Sequence, residues 1–107
     1  MGLLSFLFGM GDMDRGVEEF RQTPGAVLLD VRTEAEYAEG HVEGSVNLPL
    51  NRIGEIELKY PDRQTPLFVH CRSGMRSGQA VSQLDKMGYA RVKNIGGITS
   101  YSGKVIQ

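Results

Sequence analysis

The chain has 107 residues, a hydrophobic content of 40% and a formal net charge of −1. Its length fits one domain with a single compact core. The near-neutral charge gives no support for a nucleic-acid partner or for binding to a membrane surface. One cysteine excludes an internal disulfide, and no zinc-type spacing is present, so the composition suits a reducing cytoplasm where the thiol stays available.

The chain begins with an apolar stretch, which we interpret as an extension over residues 1–12 ahead of one domain over residues 13–107. The stretch lacks a basic flank and is too short for a signal peptide or a membrane-spanning helix. We therefore expect no membrane span. We expect the extension to pack on the domain or to mediate self-association.

Strand and helix signals alternate along the rest of the chain. The predicted elements are, in order, helix 17–22, strand 25–30, a helix from Thr33 to Gly40, strand 45–48, a helical segment over 51–58, strand 67–70, helix 77–87 and a more exposed strand over 91–95. Thr33 and Glu36 match a capping box. Ile53, Ile56 and Leu58 form the apolar side of the helical segment. This alternation predicts an α/β domain whose parallel sheet is covered by helices on both faces.

Cys71 lies where the apolar strand over 67–70 meets a polar turn and a helix start. A glycine-containing loop before a helix turns backbone N–H groups inward, and Arg72 and Arg76 add positive charge. These features favour the thiolate over the thiol, whose pKa is roughly 8.5 when unperturbed and about 3.5–7.5 in such surroundings. Most lone cysteines are buried hydrophobes, but this loop is too polar to pack a core. We interpret Cys71 as a nucleophile, which requires a thiol that is ionised and open to water.

Three ordered motifs resemble the rhodanese family of sulfurtransferases. They are Leu29-Asp30-Val31-Arg32 with residues 36–45, then His70 to Ser77, and then Asn94-Ile95-Gly96-Gly97 with Tyr101. The resemblance implies a rhodanese-like three-layer α/β/α fold around a small central parallel sheet of four to five strands. Two positions depart from the family: Tyr101 stands where Trp is usual, and the first edge strand has no counterpart unless residues 4–8 supply it.

The resemblance also implies an activity. Cys71 would take a sulfane sulfur from thiosulfate or a similar donor, become a persulfide, and pass the sulfur to cyanide, another thiol or a protein. Arg72 and Arg76 would attract and orient the anionic donor, and the loop amides would hold the outer sulfur. The substrate-binding loop is then Arg72, Ser73, Gly74, Met75, Arg76 and Ser77, and no metal or organic cofactor is needed.

Asp30 and Arg32 lie near the same end of the sheet, where ligands bind in parallel α/β folds. We expect them to position the loop or pair with its arginines, or else to form a structural ion pair with neighbours such as Glu36. Alternation along a strand predicts that their side chains point in opposite directions. For the same reason His70 is a poor base for Cys71, and we expect it to be a packing histidine.

Other functions fit parts of the same sequence. Tyrosine and dual-specificity phosphatases place arginine after five intervening residues, a position that Ser77 occupies here, so the loop is too short for that class. A sulfur carrier or interaction module with little turnover of its own would use the same cysteine loop. A redox sensor would form a sulfenic acid or a mixed disulfide at Cys71.

Overall fold

The computed structural model of the protein describes residues 11–107, so residues 1–10 of the predicted extension and the alternative edge strand over 4–8 lie outside the described residues. Its elements in chain order are α1 (Asp12–Gln22), β1 (Val27–Asp30), α2 (Glu34–Glu39), β2 (His41–Val42), β3 (Ser45–Asn47), a 3-10 helix (Leu50–Glu55), α3 (Ile56–Lys59), β4 (Leu67–Cys71), α4 (Met75–Lys86), β5 (Val92–Gly97), a 3-10 helix (Ile98–Ser100) and β6 (Val105–Ile106).

Four strands form a parallel sheet in the order β3-β1-β4-β5. Because side chains alternate along a strand, each strand feeds two cores. Leu29, Val69 and Cys71 face α4 and the 51–59 segment. Leu28 and Phe68 face α1 on the opposite side. The structure therefore confirms the three-layer α/β/α fold.

Strand β5 carries an irregularity that shapes the functional end of the sheet. Val69 of β4 pairs with Asn94, but the next residue, His70, pairs with Gly96. Ile95 is thus an extra residue, as in a β-bulge, and its side chain enters the α1 core. Asn94 is left on the α4 side, and Cys71 is aligned with Gly97.

The capping box at the start of α2 is confirmed. The Glu36 N–H donates to the Thr33 hydroxyl at 3.2 Å, and the Thr33 N–H donates to the Glu36 carboxylate at 2.9 Å. The apolar side assigned to residues 51–58 was wrong at one position, because Leu58 is 85% exposed. The segment is a 3-10 helix followed by only four α-helical residues, which turns Leu58 away from the core that holds Ile53 and Ile56.

A second, two-stranded sheet pairs β2 with β6 in antiparallel orientation. Each of these strands is two residues long, which is too short for a hydrophobic period to show in the sequence. Within residues 11–107 no helix is both long and apolar enough to cross a bilayer.

Candidate active site

Cys71 is the last residue of β4, and the chain turns directly into α4 through residues 72–74. The turn depends on Gly74, whose φ of 106° lies in the left-handed region that residues with a Cβ rarely adopt. This conformation starts α4 at Met75, two residues earlier than the sequence predicted. The helix N-terminus and the loop N–H groups are thereby directed at the cysteine sulfur.

The sulfur of Cys71 accepts hydrogen bonds from the loop. The Gly74 N–H lies 2.9 Å from Sγ, and the Ser77 hydroxyl lies 3.4 Å away. Burial by itself raises the pKa of the Cys71 thiol, but the Ser77 hydroxyl and the N–H groups of Ser77, Gly74 and Ser73 lower it further than burial raises it. The net result is that the pKa of the Cys71 thiol lies below the ordinary value of a free cysteine. Main-chain and hydroxyl donors therefore stabilise the thiolate.

The thiol is not open to water, contrary to the expectation from the sequence. Cys71 is only 1% exposed. One wall of the loop is formed by Gly97, where an added Cβ would lie 2.1 Å from the carbonyl oxygen of Arg72. The same carbonyl accepts from the N–H and the hydroxyl of Thr99 at 3.2 and 3.0 Å. The loop is thus packed tightly against the end of β5, although Met75 in the same loop is 78% exposed.

Ser77 connects the loop to β5. Its hydroxyl lies 3.0 Å from the Gly74 carbonyl and 2.8 Å from the Asn94 side-chain oxygen. Asn94 in turn accepts from the N–H of Gly96 at 3.0 Å. Because Ser77 is fully buried, this network fixes the hydroxyl close to the cysteine sulfur.

Arg76 is paired with a residue of α2. Its two terminal nitrogens donate to the two oxygens of Glu36 at 2.7 and 2.9 Å. Hydrogen bonds from Arg76 lower the pKa of Glu36 from 4.5 to about 2, although partial burial opposes them. The same bonds, together with attraction to Glu36 and to Cys71, raise the pKa of Arg76. Arg76 is therefore within electrostatic reach of the sulfur, but its charge is already compensated.

Asp30 and Arg32 do not point in opposite directions, so that prediction was wrong. The Arg32 side chain folds back onto Asp30, with its Nη2 2.7 Å from Oδ2 and its Nε 3.0 Å from both oxygens. Arg32 also donates to the Gly40 carbonyl at 2.8 Å. A buried guanidinium needs a carboxylate partner, and the partner here is the strand-end aspartate rather than the carboxylate of Glu36.

His70 lies on the opposite face of β4 from Cys71 and is fully buried. Its Nδ1 lies 3.1 Å from the Cys71 carbonyl oxygen. Its Nε2 has no hydrogen-bond partner among residues 11–107, and the nearest Asp30 oxygen is 3.7 Å away. Burial lowers the pKa of His70, although the nearby Asp30 opposes this. His70 is placed as a packing residue and not as a base for the thiol.

Sequence reasoning missed three residues that build the site: Glu36, Asn94 and Gly97. Glu36 was identified as part of a capping box and a family motif and as a possible partner of Asp30 and Arg32, but not of Arg76; the pairing with Arg76 spans 40 positions of sequence, for which no local signal exists. Asn94 and Gly97 were quoted as family motif positions without a role. The placement of Gly97 opposite Cys71 depends on the bulge at Ile95, which the sequence pattern does not reveal.

Comparisons with known proteins agree with this geometry. The profile of the rhodanese-like domain family matches residues 15–104. The chain belongs to the rhodanese-like domain family. Thiosulfate sulfurtransferase PspE of Escherichia coli strain K12 is 41% identical over 71 residues, which are 65% of this chain and 68% of PspE. A sulfurtransferase of Allochromatium vinosum is 35% identical over 86 residues, covering 79% of each chain. A solved structure described as a rhodanese with anions from E. coli superposes with a TM-score of 0.71 at 34% identity, covering 77% of this chain and 98% of that one.

Proposed function

We propose that the protein is a rhodanese-type sulfurtransferase that moves a sulfane sulfur from thiosulfate or a similar donor to a thiophilic acceptor through a persulfide on Cys71. The observation that carries the proposal is the environment of the sulfur. The Gly74 N–H and the Ser77 hydroxyl face Sγ, and the pKa of the thiol is lowered in spite of burial. The similarity to named sulfurtransferases supports the same activity.

The transfer needs no redox partner. The Cys71 thiolate attacks the outer, sulfane sulfur of thiosulfate, and the sulfur–sulfur bond of the donor breaks. Sulfite leaves with the bonding electron pair, and Cys71 carries a persulfide anion. An acceptor such as cyanide or a thiolate then attacks the outer sulfur and restores the Cys71 thiolate, so that charge and atoms balance in both steps.

The loop supplies binding and stabilisation for these steps. The N–H groups of Ser73, Gly74 and Ser77 face the sulfur, and this supports assigning to the amides of residues 73–77 the role of holding the outer persulfide sulfur. Arg72 is exposed at the rim, where it attracts the anionic donor and the leaving sulfite. Because Cys71 is 1% exposed, we include in the proposal that the loop rim moves aside to admit the donor. The Asp30–Arg32 pair is assigned the role of supporting the strand end beneath the loop.

Mass spectrometry of the intact protein after treatment with thiosulfate tests the proposal. We expect a mass increase of one sulfur atom in the wild type and none in the Cys71→Ser variant. A steady-state assay with thiosulfate and cyanide should likewise lose all turnover in Cys71→Ser. A wild-type protein that gains no sulfur from any sulfane donor would contradict the proposal.

A sulfur-carrier module that serves one partner protein is a second candidate. It is favoured by Met75, a large apolar side chain that is 78% exposed at the loop rim, where a protein surface would contact it. A persulfide that forms on Cys71 without turnover of thiosulfate and cyanide would favour the carrier. For either function we propose a reducing compartment such as the cytoplasm, because the chain has one cysteine and its function needs a free thiol.

A further inference from the structure

Arg76 is one of the two loop arginines expected to bind the anionic sulfur donor, yet its guanidinium is already paired with the carboxylate of Glu36. The Glu36 carboxylate accepts a hydrogen bond from each terminal nitrogen of Arg76, and this bidentate arrangement is the strongest geometry available to such a pair. The Glu36 carboxylate is held from a second direction by the Thr33 N–H at 2.9 Å. Rotating Glu36 away from Arg76 would therefore also break the capping box of α2.

The charges beside the loop are balanced. The cleft next to the loop is lined by Arg32, Arg72, Glu36 and Glu39, among other residues. Asp30 is paired with Arg32, and Arg76 with Glu36. Three guanidinium groups thus stand against three carboxylates. Among these arginines only Arg72 has no carboxylate of residues 11–107 within ion-pair distance. The side-chain charges therefore sum to no net attraction for a donor with two negative charges, which leaves its binding to the loop N–H groups and to the local charge of Arg72.

We propose that Glu36 is a specificity-determining residue. By cancelling the charge of Arg76, it biases the site against the thiosulfate dianion and towards sulfane donors with one negative charge, the class that includes thiosulfonates and organic persulfides. A dianion is repelled by Glu36 twice as strongly as a monoanion at the same position. This inference rests on the proposed transfer at Cys71 and goes beyond it by assigning the charge of the preferred donor.

Two sulfur donors that react by the same step but differ in charge separate the effect of donor charge from the effect of donor chemistry. Thiosulfate and methanethiosulfonate both present a sulfane sulfur bonded to a sulfonyl sulfur. In each case the Cys71 thiolate attacks the sulfane sulfur, the sulfur–sulfur bond breaks, and sulfite or methanesulfinate leaves with the electron pair. The two donors differ by one negative charge, so the ratio of their rate constants reports how the site responds to charge.

The decisive experiment measures single-turnover persulfide formation on Cys71 with each donor, in the wild type and in Glu36→Gln. Glutamine keeps an oxygen for the capping box but removes the negative charge. We expect the thiosulfate rate constant to rise about tenfold and the methanethiosulfonate rate constant about threefold or less. Glu34→Gln is the matched control, because Glu34 lies in the same helix, carries the same charge, and pairs with Arg52 away from the loop. Its donor ratio should equal that of the wild type.

A double variant separates charge from local structure. In Glu36→Gln with Arg76→Gln the charges cancel again, so the donor ratio should return to within about twofold of the wild-type ratio. An unchanged ratio in Glu36→Gln, or a shifted ratio that persists in the double variant, would overturn the inference.

The wild type alone provides a further test if a variant fails to fold. Balanced charges predict that its thiosulfate rate constant changes less than about twofold between low and high salt, and a steep fall with salt would overturn the inference. If the wild type forms no persulfide with either donor, the proposed function fails. If it reacts with both donors but Glu36→Gln leaves their ratio unchanged, only the role of Glu36 fails.

Discussion

Two adjacent residues at the end of β4, His70 and Cys71, show how one strand end can treat two titratable groups in opposite ways. Both are at most 1% exposed, and the pKa of each is lowered. For the cysteine a lower pKa means that the charged form is favoured, whereas for the histidine it means that the neutral form is favoured. The same direction of pKa shift therefore favours a charged group on one face of the sheet and a neutral group on the other.

The difference comes from the hydrogen-bond partners of each group and not from burial. Cys71 faces the loop, where the Gly74 N–H donates to its sulfur and the Ser77 hydroxyl lies 3.4 Å from it, and these contacts favour the thiolate. The charged form of His70 needs acceptors instead, which among residues 11–107 are the Cys71 carbonyl, 3.1 Å from Nδ1, and the Asp30 carboxylate, 3.7 Å from Nε2. Burial opposes charge on both faces, and only on the loop face do the partners outweigh it.

Among the changes that test this comparison, distorting the loop backbone at Gly74 should have the largest effect on the reactivity of Cys71. In Gly74→Val the backbone at φ 106° is strained by about 1–3 kcal/mol, and the N–H that points at Sγ is displaced. We expect persulfide formation on Cys71 to slow at least about a hundredfold, measured by intact mass after thiosulfate treatment. Gly25→Val is the control, since Gly25 also has a positive φ of 74° but lies in open space away from the loop. Its folded protein should react at the wild-type rate.

Removing the Ser77 hydroxyl should have a smaller effect on the reactivity of Cys71. In Ser77→Ala the hydroxyl that lowers the pKa of the Cys71 thiol is lost, so that pKa should rise. The alkylation rate of Cys71 near neutral pH should fall about tenfold, as expected when one hydrogen bond to a charged group is lost, and its pH profile should move to higher pH. Ser82→Ala, on the exposed side of the same helix, should leave the profile unchanged. A Ser77→Ala profile that overlays the wild type would show that the backbone N–H groups alone set the ionisation.

The smallest expected effect is on the pH dependence of stability that His70 contributes. The pKa of His70 is lower in the folded protein than its ordinary value of 6.5, so the unfolded chain binds a proton first as the pH falls. The contribution of His70 to the free energy of unfolding should be complete above pH 6.5. Below that pH it should decline by at most about 1.4 kcal/mol per pH unit.

Urea unfolding between pH 7 and pH 5 measures this dependence. We expect His70→Gln to flatten the part of the slope that His70 contributes, and His41→Gln, at the half-buried second histidine, to retain it. Equal slopes in the wild type and His70→Gln would mean that His70 carries a proton in the folded state.

The sequence was sufficient for the features that local chemistry controls. Alternation of strand and helix signals predicted the layered parallel sheet, and the Thr33–Glu36 spacing predicted the capping box. The position of Cys71 between a buried strand and a helix start predicted the loop that surrounds its sulfur.

Features that depend on long-range packing could not be predicted in this way. The pairing of Glu36 with Arg76 joins two helices that are distant in sequence, and Gly97 of β5 approaches the Arg72 backbone across 25 positions of sequence. The direction of Arg32 was mistaken because strand alternation ends with β1 at Asp30, after which the desolvation of a guanidinium dictates where it turns.

The extra residue in β5 has a consequence for how this segment can change. Gly97 is aligned with Cys71 and lies against Arg72 because Ile95 takes up one position without a partner on β4. Deleting a single residue between Val92 and Gly97 would exchange the two faces for every side chain beyond the deletion. The segment therefore tolerates replacement of the exposed Lys93 far better than any alteration of its length, and an engineered graft of this site must carry the irregular strand together with the cysteine loop.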